Sequence, residues 1–370
     1  MQINCDGVVH NPLGGASYVF EKEIIPYILG SLHKNKLKIS VGAQPNSSPH
    51  FGTLETIALA FALARKIEEY DSKKKVTILY EVIETAPSET VVIDGVKYQK
   101  SLNFTGKIDT YFAEYLEILN HYKELTGIDY EIRYQHEFNE QPETQEVFKT
   151  VLKNREYVAK KLDQKYGNLR VRMSCPICGL TDKNSVNNIY TEDTITFYCP
   201  EHGEYSVNVN ESISKLEYNS PLRNLIRGMS YTATNQSENY DFEILRITGS
   251  DYAGFYQEEL RYKVASYLGC DVSKMSMIFY APLVLDWSGA KLSKSLYVKE
   301  GAYRDIPKRF INYSFLKEDL GFKGLDILYD IVINWINNPY MLFRHYSIYY
   351  FIKEFEKYEW WIDKWNICKY

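Results

Sequence analysis

The stretch from residue 37 to residue 70 constrains the fold more than any other part of this chain. Residues 37–43 (Leu-Lys-Ile-Ser-Val-Gly-Ala) read as a strand, and Pro45-Asn-Ser-Ser-Pro49 is a loop carrying two breakers. From Phe51 to about Tyr70 the pattern turns alanine-rich and helical. Val76 to Ile83 follows as a second strand, apolar nearly throughout, as a strand covered on both faces should be.

The same rhythm runs on through a helix over 108–125, a short strand Tyr130 to Tyr134 and a polar helix over 141–165. Residues 170–210 interrupt it with a cysteine cluster and short alternating segments such as Thr194-Ile-Thr-Phe-Tyr198. It resumes with strand Phe242 to Ile247, helix 252–268 and strand Met275 to Leu285, and after Ser295 the chain reads as helices to its end. Strand and helix in alternation predict an α/β fold, a doubly wound parallel sheet with helices on both faces. The expected division is a catalytic domain over 1–169 and 211–300, an inserted module over 170–210 and a helical region over 301–370. No internal repeat and no low-complexity linker breaks this order. Ligands on such sheets bind at the carboxyl ends of the strands. The Pro45–Thr53 loop lies there, so a nucleotide is expected beside it.

The chemistry of that loop agrees. A helix start presents unbonded backbone N–H groups and the positive end of its dipole to an anion. Gly52 lets a base or ribose lie against the backbone. His50 and Thr53 can each donate a hydrogen bond to a phosphate as charge builds on a leaving pyrophosphate. Pro45 and Pro49 stiffen the approach. The plainer alternative is a helix start with an incidental histidine.

A second peptide, Lys291-Leu-Ser293-Lys294-Ser295, is introduced by Ser288-Gly-Ala290. Two ammonium groups on a loop could close over a triphosphate and bind best where charge is greatest, in the transition state. The alternative is a solvated basic turn. A third, Thr248-Gly249-Ser250-Asp251-Tyr252, ends the strand at 242–247. Asp251 could accept from a ribose hydroxyl, or Ser250 or Asp251 could simply cap a helix; the two are compatible.

Cys175-Pro-Ile-Cys178 and Cys199-Pro-Glu-His202 form two knuckles. Three thiolates and an imidazole suit tetrahedral Zn²⁺ with no position left for water, so the expected role is structural. Cys5, Cys270 and Cys368 are scattered, which fits a reducing cytoplasm better than a disulfide framework. No secretory signal is read at Met1 to His10, and the longest apolar run, near Ile57 to Ala64, is too short to span a bilayer. A net charge of −5 does not mark a strongly basic nucleic-acid binder, though a local basic face can sit on an acidic protein.

The first two peptides resemble the HIGH and KMSKS signatures of class I aminoacyl-tRNA synthetases, in the right order. Asp251 and Gly249 resemble the Gly-x-Asp-His segment of those enzymes, with Tyr252 in place of the histidine, and Leu292 replaces the methionine of the second signature. Over roughly residues 37–315 the chain resembles the archaeal-type lysyl enzyme, through these peptides, the inserted Cys/His module and Lys215-Leu-Glu-Tyr-Asn-Ser-Pro-Leu-Arg223.

The resemblance implies a Rossmann-like domain that binds ATP with Mg²⁺, adenylates an amino acid, lysine favoured, and passes it to tRNA. Lys294 takes the transition-state role of the second signature, with Lys291 beside it. Glu84, at the end of the second strand, corresponds to an acidic residue near the substrate's amino group. It is followed by Thr-Ala-Pro rather than by the acidic cluster of the lysine enzymes, and it reads equally as a surface carboxylate. About 75 residues follow the lysine-serine loop, where those enzymes continue into a large anticodon-binding region. These residues are aromatic-rich (Trp335, Phe343, Tyr349, Tyr350, Phe351). Such side chains can stack on single-stranded bases, but their more ordinary use is to pack helices. Other readings remain: a ligase acting on a non-tRNA acceptor, a non-catalytic RNA-binding paralogue, or a nucleotidyltransferase for another substrate.

Overall fold

The computed structural model describes residues 24–165, 167–211, 213–292, 303 and 306–367, with side chains through 358. In chain order its strands are β1 (Lys36–Ala43), β2 (Lys75–Val82), the hairpin β3 (Pro87–Ile93) and β4 (Val96–Ser101), and β5 (Tyr130–Tyr134). Then come β6 (Val171–Arg172), β7 (Thr181–Asp182), β8 (Ile189–Tyr190), β9 (Thr194–Cys199), β10 (Gly203–Asn208) and β11 (Glu217–Tyr218). β12 (Phe242–Gly249), β13 (Ile278–Ala281), β14 (Val284–Leu285) and β15 (Tyr346–Ser347) complete the set.

Five of them make one sheet in the order β13-β12-β1-β2-β5, parallel throughout. The doubly wound α/β class expected from the sequence is what the chain adopts. Successive side chains on a strand point to opposite faces, and the sheet sorts them accordingly. Leu37, Ile39 and Val41 of β1 and Ile78, Tyr80 and Val82 of β2 join a core with the helix Phe51–Tyr70 and, beyond it, the helix Lys323–Asn337. On the opposite face Ile244, Ile278 and Tyr280 join Leu222, Leu225, Ile226 and Met229 of the helix Ser220–Gln236.

Four local features depart from the expected elements. The hairpin β3–β4 fills a stretch for which no element was expected. Its turn is Asp94-Gly95, both at positive φ (47° and 78°), the pair that two-residue hairpin turns favour. The helix expected over 141–165 is two, Pro142–Lys153 and Arg155–Leu162, broken at Asn154. The strand expected over 275–285 stops at Ala281 because Pro282 has no N–H for the ladder; β14 then pairs with β15 instead. The helix expected over 252–268 opens with a 3₁₀ turn at Ser250–Tyr252 and runs from Phe255 to Ala265 in the wide π form.

Of the aromatic C-terminal residues, Trp335, Phe343, Tyr350 and Phe351 pack helices together, while Tyr349 is exposed. Trp335 is fully buried and stacks on Tyr346 at 4.5 Å between centroids. Phe351 meets Phe51 edge-on at 5.1 Å. Among the described residues no helix is long and apolar enough to cross a membrane.

Candidate functional site

β1 sits where the strand order reverses: β2 and β5 continue on one side of it, β12 and β13 on the other. Chain segments leaving β1 and β12 therefore turn to opposite faces and leave a crevice at their carboxyl ends. A cavity of about 370 Å³ lies there, within the size range of ligand pockets. His50, Gly52 and Thr53 line one wall, Gly249, Asp251 and Tyr252 the other, and Lys291 and Leu292 its edge. The structure thus brings together described members of all three peptides. Pro45 is buried beneath the loop rather than in the lining. Ser293, Lys294 and Ser295 lie outside the described residues.

His50 caps the helix Phe51–Tyr70 from an extended backbone conformation (φ −74°, ψ 159°). The Thr53 N–H donates to its Nδ1 at 3.3 Å, and its Nε2 lies 3.0 Å from Thr53 Oγ1. With Nδ1 accepting, Nε2 carries the ring proton and donates to Thr53, whose own hydroxyl hydrogen is then directed elsewhere. The helix start is clamped from behind by the C-terminal region. Phe51 N–H donates to Ile311 O (3.2 Å), Tyr313 N–H donates to Pro49 O (2.8 Å), and Ser314 Oγ bonds Ser48 Oγ (2.9 Å).

On the facing wall the glycine of the third peptide leaves room for the aspartate that follows it. A Cβ on Gly249 would fall 2.6 Å from Asp251 Oδ1. Asp251 Oδ2 in turn accepts from Lys291 Nζ at 2.6 Å. Lys291 follows the Ser288–Ala290 turn, whose anchor, Asp286, sequence reading did not single out. The buried Asp286 carboxylate accepts from Ser288 N–H (2.8 Å), Ser288 Oγ (2.7 Å), Ala290 N–H (3.2 Å) and Tyr303 OH (3.2 Å). Burial pushes the Asp286 carboxyl up, but these hydrogen bonds outweigh it and hold it below the usual carboxylate range. The Asp-x-Ser-Gly spacing was the available signal.

Glu84 does not reach the cleft. Its carboxylate is buried and accepts from Gln135 N–H (2.8 Å), His136 N–H (3.0 Å) and His136 Nδ1 (2.8 Å), capping the helix Gln135–Asn139. Three residues earlier, Glu81 occupies the sheet face beneath the cleft. It is bonded by Arg133 and Tyr231, with an Arg227 guanidinium nitrogen at 3.8 Å. Burial pushes the Glu81 carboxyl up, but Arg133 and Arg227 more than reverse this, with hydrogen bonds from Arg133 and Tyr231, and hold it at about 2. Gly42 makes room for this strand: a Cβ there would meet Glu81 O at 2.4 Å.

The Cys/His module rests on the β3–β4 hairpin, since β4 pairs with β7 (Tyr98 opposite Asp182) and Tyr98 packs with Cys175, Leu180 and Cys199. The ligand atoms of Cys175, Cys178, Cys199 and His202 all lie within 4.8 Å of one another. Cys178 Sγ–Cys199 Sγ is 3.5 Å, and His202 Nδ1 lies 3.5 Å from Cys199 Sγ and 3.8 Å from Cys175 Sγ. Four donors on a tetrahedron with bonds near 2.3 Å stand about 3.8 Å apart, so the set fits a tetrahedral metal ion. Each knuckle is closed by a glycine at φ +75°, Gly179 and Gly203. None of the four lines the cleft.

No protein-family model matches this chain, and no curated protein does. Its fold is similar to solved aminoacyl-tRNA synthetase structures. A protein assigned as an arginyl-tRNA synthetase from Campylobacter jejuni matches at 13% identity over 84% of this chain and 68% of that one, with a TM-score of 0.36. A glutamate-tRNA synthetase from Elizabethkingia anophelis matches at 12% over 73% and 54%, TM-score 0.31. A methionyl-tRNA synthetase from Mycobacterium tuberculosis, bound by methionyl-adenylate, matches at 13% over 85% and 66%, TM-score 0.42. The chain thus spans about half to two thirds of their length. Likenesses this distant, with TM-scores below 0.5, carry no part of the functional reading.

Proposed function

We propose that this chain is an ATP-dependent ligase that adenylates an amino acid and transfers it to tRNA. The observation that carries this reading is the convergence of a helix start, an aspartate and a lysine, from three distant peptides, on one crevice at the point where the strand order reverses. The positive end of the Phe51 helix dipole, with His50 and Thr53, holds the phosphates. Gly249 and Asp251 receive the ribose. A carboxylate oxygen of the amino acid attacks the α-phosphorus, the bond to the bridging oxygen breaks, and pyrophosphate leaves with the electron pair. Lys291, and Lys294 by the sequence pattern, neutralise charge as it moves to that pyrophosphate. Mg²⁺ brought with ATP adds positive charge at the phosphates. The work is positioning and charge stabilisation, with no side-chain nucleophile.

Cys175, Cys178, Cys199 and His202 hold Zn²⁺ in a structural role. All four donors come from the two knuckles, so the ion fastens one knuckle to the other. The lysine preference implied by the resemblance has little to carry it: Glu84 is committed to its helix, and among the described lining residues the carboxylate present is Asp251, paired with Lys291.

Exchange of labelled pyrophosphate into ATP, screened over the amino acids with and without bulk tRNA, tests adenylation. Exchange with one or a few is expected; none under either condition sinks it. Acylation of tRNA in the same preparation then tests the acceptor.

A further inference from the structure

Three arginines line the inner end of the same cavity: Arg223 and Arg227 of the helix Ser220–Gln236, and Arg246 of β12. Arg246 pairs in register with Ser40, three residues below the carboxyl end of β1. At about 3.3 Å per residue this places it roughly 10 Å beneath the crevice mouth. The phosphate-holding groups His50, Thr53 and Lys291 belong to the mouth, so the inner end is where the far end of an activated substrate would lie.

The charges there do not balance. Glu217 serves both Arg172 and Arg223, and Glu81 serves both Arg133 and Arg227. Arg246 has no carboxylate within ion-pairing reach among the described residues; its guanidinium lies over the Tyr256 ring at 5.5 Å. Nε of Arg223 and Nε of Arg227 are also buried without a hydrogen-bond partner and out of reach of the cavity, so what these two side chains add at its inner end is positive charge. Both side chains are 95% buried. Uncompensated positive charge is costly where water is excluded, and the planar fork of the half-buried Arg246 is matched by a carboxylate. Asn224 and Tyr256 complete the lining without adding negative charge.

We propose that this inner end is a carboxylate-binding subsite, so that the amino acid activated is a dicarboxylic one, its side-chain carboxylate held by Arg246 with Arg223 and Arg227. The inference rests on the adenylation reading for the identity of its ligand as a substrate, and it reverses the expectation of a lysine-like side chain. A cationic side chain would meet three guanidiniums, and a neutral amide would leave them unneutralised.

Two measurements on the full chain separate the inference from that reading. Pyrophosphate exchange should run with glutamate or aspartate and not with lysine. Exchange confined to lysine or a neutral amino acid overturns the subsite and leaves adenylation standing. Independently of catalysis, calorimetric titration should show glutamate or aspartate binding at least about tenfold tighter than glutamine or asparagine. That preference should be lost in Arg246→Gln and kept in Arg246→Lys, with circular dichroism unchanged in both. Equal binding of acid and amide, no binding of either, or a preference untouched by Arg246→Gln overturns the proposal even if exchange is never seen.

Discussion

Lys291 Nζ stands 2.6 Å from Asp251 Oδ2, joining the second basic peptide to the end of β12 across the edge of the cleft. The two side chains are 44% and 27% exposed, so the pair contributes about 1 kcal/mol or less to stability. Its meaning lies in what each partner does when ATP arrives. A ribose hydroxyl would donate to Asp251 and a phosphate would draw Lys291 away, so the pair is exchanged for two contacts with the nucleotide. Lys291→Ala should therefore lower the pyrophosphate-exchange rate by about 10²-fold, as loss of a charge stabiliser does, with the unfolding midpoint unchanged. Asp251→Asn should instead raise the KM for ATP with a smaller effect on kcat. Identical kinetic profiles for the two variants would contradict separate roles.

His50 combines a structural and a chemical task, and two substitutions separate them. As helix cap its ring accepts from the Thr53 N–H. Asparagine also caps well, whereas alanine does not, at a cost of about 1 kcal/mol. His50→Asn should keep the thermal midpoint near that of the parent while exchange activity falls; His50→Ala should lose both. Full activity in His50→Asn would mean that the imidazole serves the helix alone.

Zinc should be found at one equivalent per chain by elemental analysis. Chelation should expose more than the knuckles, because Tyr98 packs against Cys175 and Cys199 and is 2% exposed. Hydrogen exchange after chelation should therefore speed up in Val96–Ser101 as well as in 175–202, while Lys36–Ala43 stays protected. A metal-free preparation with native protection in both segments would exclude a structural ion.

What could be read from the chain was local. The stretch from Leu37 to Tyr70 declared itself because strand pattern, breakers and helix pattern follow one another without a gap, and the two knuckles did so because four ligands fall in two short turns. The Asp94-Gly95 hairpin was equally legible and simply carried less apolar pattern around it, with Val91 and Val92 left exposed. The polar floor of the cleft was not legible. Glu81, Arg133 and the pair Arg227 and Tyr231 come from three separate elements, and Glu84 and Glu81 look alike in the sequence. Glu81 still lies on β2 and meets two arginines, whereas Glu84 lies past the end of the strand and meets a helix start.

That buried floor gives the fold a calculable response to acid. Glu81 is 1% exposed, and its carboxyl is held at about 2 against an ordinary value of 4.5. A group depressed in the folded state stabilises above its unfolded value and stops doing so as pH falls through the folded one. The contribution of Glu81 should thus be complete above pH 4.5 and fade between about 4.5 and 2. Glu81→Gln leaves Arg133 and Arg227 buried without their counter-charge, which should cost roughly 3–5 kcal/mol at neutral pH. Urea unfolding of parent and variant at pH 7 and pH 3 checks both parts: a large gap at pH 7 that narrows at pH 3. A gap independent of pH would show that shape, rather than charge, is what Glu81 contributes beneath the cleft.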